Sequence, residues 1–348
     1  MTLVMHRKTM QFIKKYLTAQ RKQLLIKSLK IGLAIFIIAY LFKHGLLRKE
    51  TFLKLFKTEN LLFIFLSGIS FIIAQMLSAT RLVLLLRTIN IPLQFLPAFK
   101  LIIIGNFFNT FIPGTVGGDV VKGLFLIKKE ETNKGKSVGI IIMDRILGLV
   151  ALICMGVVSL VYLLYQGNSV LSAHLDEIHF VLSIISIILF LLVACCLLAK
   201  SRRFRKKVKD IGAAIFGEGV LYYSIIGFGN LTRDWRTLWK ALIASFFIQL
   251  LSLVGLLIIC NIVSEVLPDV ITLIAAFSII ILMGVIPITP GNIGWTEFVA
   301  SLIMSAISSN AGAEIFLYWR IVTVLCSLPG GLLYLNYGAD LMPRNRAV

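Results

Sequence analysis

The sequence is poor in charge, and poorest in negative charge. Only 15% of its 348 residues are charged, with 16 Asp and Glu against 35 Lys and Arg, whereas soluble domains carry about 25% charged residues. In place of charge the chain has 58% hydrophobic residues and a mean hydropathy of +0.94, more than one globular core can hold. This balance excludes a soluble enzyme and indicates a chain that crosses a membrane several times.

Cysteine and histidine are also scarce, and neither follows a pattern of metal ligands. The five cysteines lie in apolar blocks and the four histidines are scattered, without paired metal spacing or a disulfide framework. Motifs for a catalytic serine, a zinc hydrolase, an ATP-binding loop or a nucleic-acid module are missing as well. We therefore expect no metal, no cofactor, no nucleic-acid partner and no enzymatic activity.

A cleavable signal peptide is missing too. The basic region before the first apolar block is about 30 residues long, and Lys43 and His44 follow that block where a cleavage site would need small residues. We expect this block to be retained as the first span. A basic cytoplasmic N-terminus, residues 1–27, would precede a transmembrane domain at 28–338 and a cytoplasmic tail at 339–348.

Apolar blocks fill most of the remaining chain. A helix needs roughly 20 apolar residues to cross ~30 Å of hydrocarbon, and two further apolar segments, 95–127 and 270–307, are broken by proline and glycine so that neither half is long enough. We interpret these two segments as re-entrant hairpins. The predicted fold is all-α and integral to the membrane, with two re-entrant broken hairpins in an inverted repeat and about six full spans, at about 28–45, 60–80, 138–164, 179–199, 237–262 and 314–336.

The charge of the loops predicts the orientation. Cytoplasmic loops carry the excess of Lys and Arg, so the basic segments are assigned to the cytoplasm and the loops that lack Lys and Arg to the outside. We therefore predict a multi-pass protein of the cell inner (plasma) membrane with both termini cytoplasmic. Residues 43–57 disagree, because they are basic yet fall outside. Either they lie flat at the outer interface, which we favour, or the first block does not fully cross.

The two halves of the chain resemble each other. Three short matches occur in the same order at an offset of about 175 residues: 70–78 with 245–252, 111–118 with 288–295, and Arg145-Ile146 with Arg320-Ile321. Repeat one spans about 60–165 and repeat two about 237–336. The loop charges make the copies inverted, an architecture found in many secondary transporters.

The broken segments and the charges inside apolar blocks are the candidate site. A break cannot face lipid, so it lies inside protein or lines a wet cavity, and the helix that resumes after it favours anions at its N-terminus; alternatively the Pro-Gly pairs only turn the chain. An intramembrane charge costs roughly 2.5–3.5 kcal/mol and needs a reason. The candidate ligands of a head group are Arg81, Asn106, Asn109, Pro113, Gly114, Gly117, Gly118, Asp119, Lys122, Asp144, Arg145, Pro290, Gly291, Gly294, Glu297 and Arg320.

Several of these residues have a second interpretation. Arg81 can extend to the cytoplasmic interface, and Arg320 can form a structural ion pair with Glu297 or Glu314. Asn106 and Asn109 hydrogen-bond either a ligand or the hairpin backbone. Neighbours on a helix point about 100° apart, so Asp144 and the arginine that follows it cannot face one site.

The motifs that carry these residues resemble one family. They are the run Asn109 to Lys122 with Pro113-Gly114, Gly117-Gly118 and Asp119, then Asp144-Arg145, then Pro287 to Glu297 with Pro290-Gly291 and Gly294. Together they resemble the flippase-like membrane family that includes the transmembrane region of lysylphosphatidylglycerol synthases. The resemblance covers about residues 28–338, with Lys122 where arginine is usual. It implies movement of a lipid between leaflets, and we expect no lysyl-transfer domain.

The sequence leaves three hypotheses of function. The first is a lipid flippase or transporter that moves a phosphate-bearing head group, with anionic or polyprenyl-phosphate lipids as partners. The second is an accessory membrane subunit of a lipid or envelope-glycan enzyme, with a transferase as partner and no transport of its own. The third, a membrane enzyme acting on a lipid carrier, is weaker because the sequence offers no nucleophile with a base.

Overall fold

The computed structural model describes residues 53–55, 57–111, 117–129, 134–165, 234–263, 267–286, 288–307 and 309–341. Within these ranges every regular element is a helix, and no strand occurs. Short 3-10 turns occur at Thr58–Asn60 and Pro290–Asn292. The α-helices are α1 (Leu61–Arg87), α2 (Phe95–Phe111), α3 (Gly117–Lys129), α4 (Lys134–Tyr165), α5 (Trp235–Cys260), α6 (Val270–Met283), α7 (Trp295–Ala306) and α8 (Gly312–Leu341).

Four of the helices are long and apolar enough to cross a membrane. The segments that satisfy both conditions are Thr58–Arg87, Ser137–Tyr165, Trp235–Cys260 and Gly312–Asn336. They coincide with four of the six predicted spans, so the prediction of an all-helical, multi-pass membrane protein is confirmed. The other two predicted spans, at 28–45 and 179–199, lie outside the described residues, together with most of the basic patch at 43–57.

Both apolar segments that carry proline and glycine are interrupted, as predicted. The first consists of α2 and α3, and the second of α6 and α7. Because α2 has 17 residues and α6 has 14, neither reaches the roughly 20 residues of a full crossing. Pro113, Gly114 and Pro287 lie outside the described residues, but the interruption falls where they predict it.

The backbone of the second break has a positive φ at three residues. Gly291, Asn292 and Gly294 have φ values of 59°, 55° and 80°. Glycine adopts this region without steric cost and asparagine tolerates it better than most residues. These residues therefore interrupt the helical backbone, and α7 begins directly after Gly294.

Aspartates cap the first two helices of the second half, α5 and α6. Asp234 precedes α5 and accepts a hydrogen bond from the Thr237 backbone N–H at 3.2 Å, and Asp269 precedes α6 and accepts from the Thr272 N–H at 3.1 Å. Such caps satisfy backbone donors that a helix start leaves unpaired. The side-chain hydroxyl of each threonine donates as well, and these bonds hold the pKa of both carboxyls below its ordinary value.

Helices α1 and α5 form the central pair of the bundle. Ser67 Oγ donates to the Gly255 carbonyl at 3.0 Å and Ser70 Oγ donates to the Leu251 carbonyl at 2.7 Å. The residue number of the α5 partner falls as the residue number in α1 rises, so the two helices run antiparallel. A Cβ added to Gly255 would lie 2.5 Å from a ring atom of Trp319, so α8 joins the pair at that glycine.

The remaining helices pack in a reciprocal pattern. Helix α2 of the first half packs on α8 of the second, and α6 of the second half packs on α4 of the first. Helix α3 packs on α4 in the same way as α7 packs on α8. The α2–α8 contact needs glycine, because a Cβ on Gly330 would lie 2.3 Å from the Ile103 carbonyl oxygen. The sequence motifs single out neither Gly330 nor its neighbours.

Candidate functional site

The start of α3 is bound to α4 by an arginine–carboxylate pair. Arg145 Nε lies 2.7 Å from Asp119 Oδ2, and Arg145 Nη2 lies 3.0 Å from Asp119 Oδ1. This two-bond geometry is the strong form of such a pair. The carboxylate is buried, whereas 52% of the arginine side chain is exposed. The arginine therefore presents an open edge that a ligand can reach.

Lys122 adds a second cation to the same carboxylate. It lies one turn after Asp119 on α3, with its Nζ 3.5 Å from Asp119 Oδ1, and 8% of its side chain is exposed. Its stem runs over Gly105 of α2, where a Cβ would come within 2.4 Å of Lys122 Cε. A small residue on the facing helix thus makes room for this buried charge.

Arg81 is buried among three helices and does not extend to an interface. Its Nε donates to Asp144 Oδ1 at 2.7 Å and its Nη1 donates to Ser245 Oγ at 2.7 Å. The two charged side chains are 7% and 10% exposed. Asp144 therefore faces Arg81 while Arg145 faces Asp119, so these neighbours on α4 have different partners.

The sequence motifs do not identify two polar residues of α5 that join α1 and α4. Ser245 accepts the Arg81 bond and donates to the Ala241 carbonyl at 2.8 Å. Gln249 Nε2 donates to the Gly148 carbonyl at 3.1 Å. Both residues belong to the segment 245–252 that matches 70–78, and this match is their only signal in the sequence. Their contacts join the first span of repeat two to α4 of repeat one.

Ser245→Ala should lower stability through the Arg81 ion pair. The variant removes an acceptor from a buried guanidinium, and hydrogen bonds to charged groups contribute about 1.5–3 kcal/mol. We expect a lower thermal unfolding temperature in detergent. Ser252→Ala is the matched control on α5, because Ser252 Oγ bonds only the Ile248 carbonyl of its own helix among the described residues. Equal stability of the two variants would contradict the assignment.

The second break has its own arginine–carboxylate pair. Arg320 of α8 donates through Nε to Glu297 Oε1, and its Nη2 lies 3.2 Å from Glu297 Oε2. Glu297 stands in the first turn of α7, and only 3% of its side chain is exposed. The pairing partner is Glu297, as one interpretation of the sequence predicts.

Arg320 also holds the backbone of the second break. Its Nη1 donates to the Gly291 carbonyl at 2.8 Å and its Nη2 donates to the Asn292 carbonyl at 2.9 Å. Nη2 reaches Thr296 Oγ1 as well. With five acceptors around one guanidinium, Arg320 is engaged by the protein. It fixes the shape of the break, while Arg145 has the exposed edge.

The second break contacts the end of α2. A Cβ on Gly291 in the second break would lie 2.9 Å from the carbonyl oxygen of Thr110, the second-last residue of α2. Nearby, the Gly118 N–H donates to Asn109 Oδ1 at 2.8 Å, so this side chain satisfies the hairpin backbone. Asn106 Nδ2 instead donates to Gln75 Oε1 of α1 at 2.8 Å. Gly117 begins α3 beside this contact, and Pro290 begins the 3-10 turn.

The charged residues near each break form a cluster, and the net charges of the two clusters differ. The first cluster contains Lys122 and Arg145 against Asp119, an excess of one positive charge, while Arg81 and Asp144 form a separate pair. The second pairs one arginine with one glutamate. Carboxylates already occupy the first turns of α3 and α7, where they interact favourably with the helix dipole. Attraction for an anion therefore concentrates at Arg145 and Lys122.

These features define an integral membrane protein in which two interrupted helical segments each present a carboxylate to an arginine of a membrane-length helix. The chain belongs to the family described as the lysylphosphatidylglycerol synthase transmembrane region, whose model matches residues 28–330, and this confirms the resemblance of its motifs. The UPF0104 membrane protein MJ1595 of Methanocaldococcus jannaschii is 24% identical over 300 residues, 84% of this chain and 88% of the relative. No solved structure matches the chain significantly.

Proposed function

We propose that the protein is a lipid flippase that moves a phosphate-bearing head group between the two leaflets. One observation carries the proposal: the second break contacts the end of α2, and Arg145, which pairs with Asp119 at the start of α3, is half exposed in an incompletely neutralised cluster. Broken helices that meet inside the membrane are the usual substrate sites of secondary transporters. The proposal assigns no catalytic step to the chain.

The two halves act as an inverted repeat in this proposal. An inverted pair requires its corresponding helices to run in opposite directions, and α1 and α5 are antiparallel. It also requires each packing contact to have a counterpart, as the α2–α8 and α6–α4 contacts do. Rocking of one half against the other would then expose the breaks to each leaflet in turn.

Arg145 would bind the phosphate. Guanidinium groups bind phosphates as well as carboxylates, so a phosphate would bind the exposed part of Arg145 that Asp119 does not cover. Lys122 supplies the positive charge that the first cluster does not neutralise. Proton uptake by Asp119, Asp144 or Glu297 would couple transport to an ion gradient.

The proposal places the protein in the cell inner (plasma) membrane with both termini in the cytoplasm, because the basic loops then face inward. Its substrates would be anionic or polyprenyl-phosphate lipids. A transferase of envelope biosynthesis would supply or consume the lipid. If the purified protein moves no lipid in vesicles and co-purifies with such a transferase, the accessory-subunit hypothesis replaces this one.

Arg145→Ala should abolish most transport without unfolding the protein. The change removes a charged hydrogen-bond donor from the ligand, and a loss of about 1.5–3 kcal/mol corresponds to at least about a ten-fold lower rate. Arg145→Lys should retain part of the rate, because lysine keeps the charge but lacks the planar fork. The measurement is transfer of a fluorescent phosphatidylglycerol across vesicles that contain the purified chain.

Arg87→Ala is the matched control for that assay. Arg87 is an exposed arginine at the last turn of α1, outside the two clusters, so its removal should leave the rate unchanged. If Arg145→Ala and Arg87→Ala transport lipid equally well, Arg145 is not the phosphate ligand.

A further inference from the structure

Helix α8 contains a proline in its interior. The helix continues on both sides of Pro329. Proline has no backbone N–H and its ring clashes with the carbonyl four residues earlier, so the Leu325 carbonyl cannot receive the hydrogen bond that normally closes this turn. Sharp kinks in helices occur at such prolines. The backbone of α8 is therefore weakened at one defined turn.

The turns next to the proline are weakened as well. Thr323 Oγ1 donates to the Arg320 carbonyl at 2.9 Å, and Ser327 Oγ donates to the Val324 carbonyl at 2.8 Å. Side-chain bonds of this kind compete with the helical ladder and often bend a helix. The two residues that follow the proline are glycines, which are poor helix formers. Bending of α8 at this place is therefore less costly than elsewhere along the helix.

The part of α8 before the proline is fixed to α7. A Cβ on Gly312, the first residue of α8, would lie 2.2 Å from the Ala300 carbonyl oxygen. The Arg320 side chain pairs with the buried Glu297 carboxylate. This part of α8 therefore moves together with the second interrupted segment.

The part of α8 after the proline is fixed to α2 instead. A Cβ on Gly331 would lie 2.8 Å from ring atoms of Phe107. The rings of Tyr334 and Phe108 meet edge to face, with their centroids 4.7 Å apart. Because Pro329 lies between the two sets of contacts, one weak turn separates the attachments of α8 to the two interrupted segments.

We propose that α8 is a hinge that bends at Pro329, and that this bend moves α2 relative to the second break. The use of this motion for transport rests on the proposed flippase function, for which the hinge names the turn where one half would rock against the other. Thr110, near the end of α2, contacts Gly291 of the second break. Bending of α8 would therefore open and close the contact between α2 and that break.

The corresponding helix of the first half lacks such a turn. Helix α4 carries Arg145 as α8 carries Arg320, but no proline occurs between Lys134 and Tyr165. The hinge is therefore present in one half, and α4 stays straight while α8 bends. This difference makes α4 the internal control for a measurement of bending.

Electron-spin distance measurements test the bend directly. Nitroxide labels are attached through a genetically encoded keto amino acid at Leu302 of α7 and Leu335 of α8, which are 54% and 76% exposed. A change of about 20° in the bend at Pro329 moves a residue that lies about 9 Å further along the axis by about 3 Å. In vesicles the wild-type distance distribution should be broader than that of Pro329→Ala by about this amount. Labels at Ile142 and Val161 of α4 should give one narrow distance in both proteins.

Stability and transport should change in opposite directions in Pro329→Ala. Alanine restores the missing hydrogen bond, so the thermal unfolding temperature should rise, while lipid transport should fall about ten-fold or more. Pro329→Gly should retain more transport than Pro329→Ala, because glycine keeps the turn flexible. Pro97→Ala is the matched control, because Pro97 lies in the first turn of α2, where backbone N–H groups have no helical partner. It should transport lipid at the wild-type rate.

Each remaining outcome decides between the hinge and another role of the proline. Wild-type transport by Pro329→Ala, or a lower unfolding temperature of this variant, would overturn the hinge. Equal distance distributions in the wild type and Pro329→Ala would overturn it as well. If the wild type transports no lipid, but its distribution is broad and narrows in Pro329→Ala, the hinge stands and the flippase proposal fails.

Discussion

Arg320→Ala should destabilise the protein by about 3–5 kcal/mol, the usual cost of removing one partner from a buried ion pair. The change leaves the buried Glu297 carboxylate without its cation. It also removes the donors that satisfy the Gly291 and Asn292 carbonyls. These groups cannot turn to water inside the membrane, where an unsatisfied backbone group costs several kcal/mol. The second break should therefore lose its shape.

The measurement is thermal unfolding of the purified protein in detergent, together with its yield in membranes. Arg320→Lys should fall between the wild type and the alanine variant, since lysine retains the charge but cannot reach several acceptors at once. Arg145→Ala is the comparison variant, because the Arg145 guanidinium is half exposed and its bonds go to the Asp119 carboxylate, not to backbone carbonyls of a break. If Arg320→Ala unfolds at the same temperature as Arg145→Ala, Arg320 does not hold the break.

A double variant separates the ion pair from the backbone contacts. In Glu297→Gln with Arg320→Ala, no uncompensated charge remains, so part of the lost stability should return. The recovery should be incomplete, because the two carbonyls still lack donors. Since the residues touch, their single effects should not add. Full recovery would mean that Arg320 contributes only through Glu297.

Features with a local cause could be predicted from the sequence. A proline next to a glycine favours the end of a helix, and α2 and α3 end and begin on either side of Pro113-Gly114, while Pro290-Gly291 lies in the turn before α7. The rule is not general, because Pro329 and Gly330 lie inside α8. Length and hydropathy likewise predict the four described spans. The comparison of halves selected Arg145 and Arg320 as corresponding residues, and the structure gives each of them a carboxylate from the start of the preceding helix of its own half.

Features that depend on helix packing could not be predicted in the same way. A long arginine side chain can extend along its helix or across it, and the sequence of α1 does not choose between these directions. The direction of the Arg81 side chain is set by its hydrogen bonds to Asp144, 63 residues away, and to Ser245, 164 residues away. The difference between the exposed Arg145 and the fully engaged Arg320 has the same origin, since similar motifs surround both.

Gly118→Ala should be among the most disruptive single methyl additions in the chain. A Cβ on Gly118 would lie 1.9 Å from the Gly105 carbonyl oxygen and 2.8 Å from Asn109 Cγ. The nearest obstacle is backbone, so a change of rotamer cannot relieve the clash. Overpacking costs typically 1–3 kcal/mol, and we expect a loss of about 3 kcal/mol or more. The start of α3 would move away from α2, and the Gly118 N–H would leave its Asn109 cap.

Gly123→Ala provides the control on the same helix. Its Cβ would meet only Ile141 Cδ1, at 3.5 Å, and alanine is a better helix former than glycine by about 1 kcal/mol. Thermal unfolding should therefore place Gly123→Ala at or above the wild type and Gly118→Ala well below it. Equal unfolding temperatures would mean that α2 and α3 do not cross at backbone contact.

Gly105→Ala should separate an effect on lipid transport from an effect on stability, at the same contact between α2 and α3. A Cβ there would meet Lys122 Cε at 2.4 Å, and the next contact, with the Gly118 carbonyl oxygen, is at 3.4 Å. A flexible side chain can move where backbone cannot, so stability should fall by no more than about 1–2 kcal/mol. Lys122, however, would be displaced from Asp119. We therefore expect Gly105→Ala to remain folded in the thermal assay and to lose lipid transport, whereas transport at the wild-type rate would exclude Lys122 from the binding site.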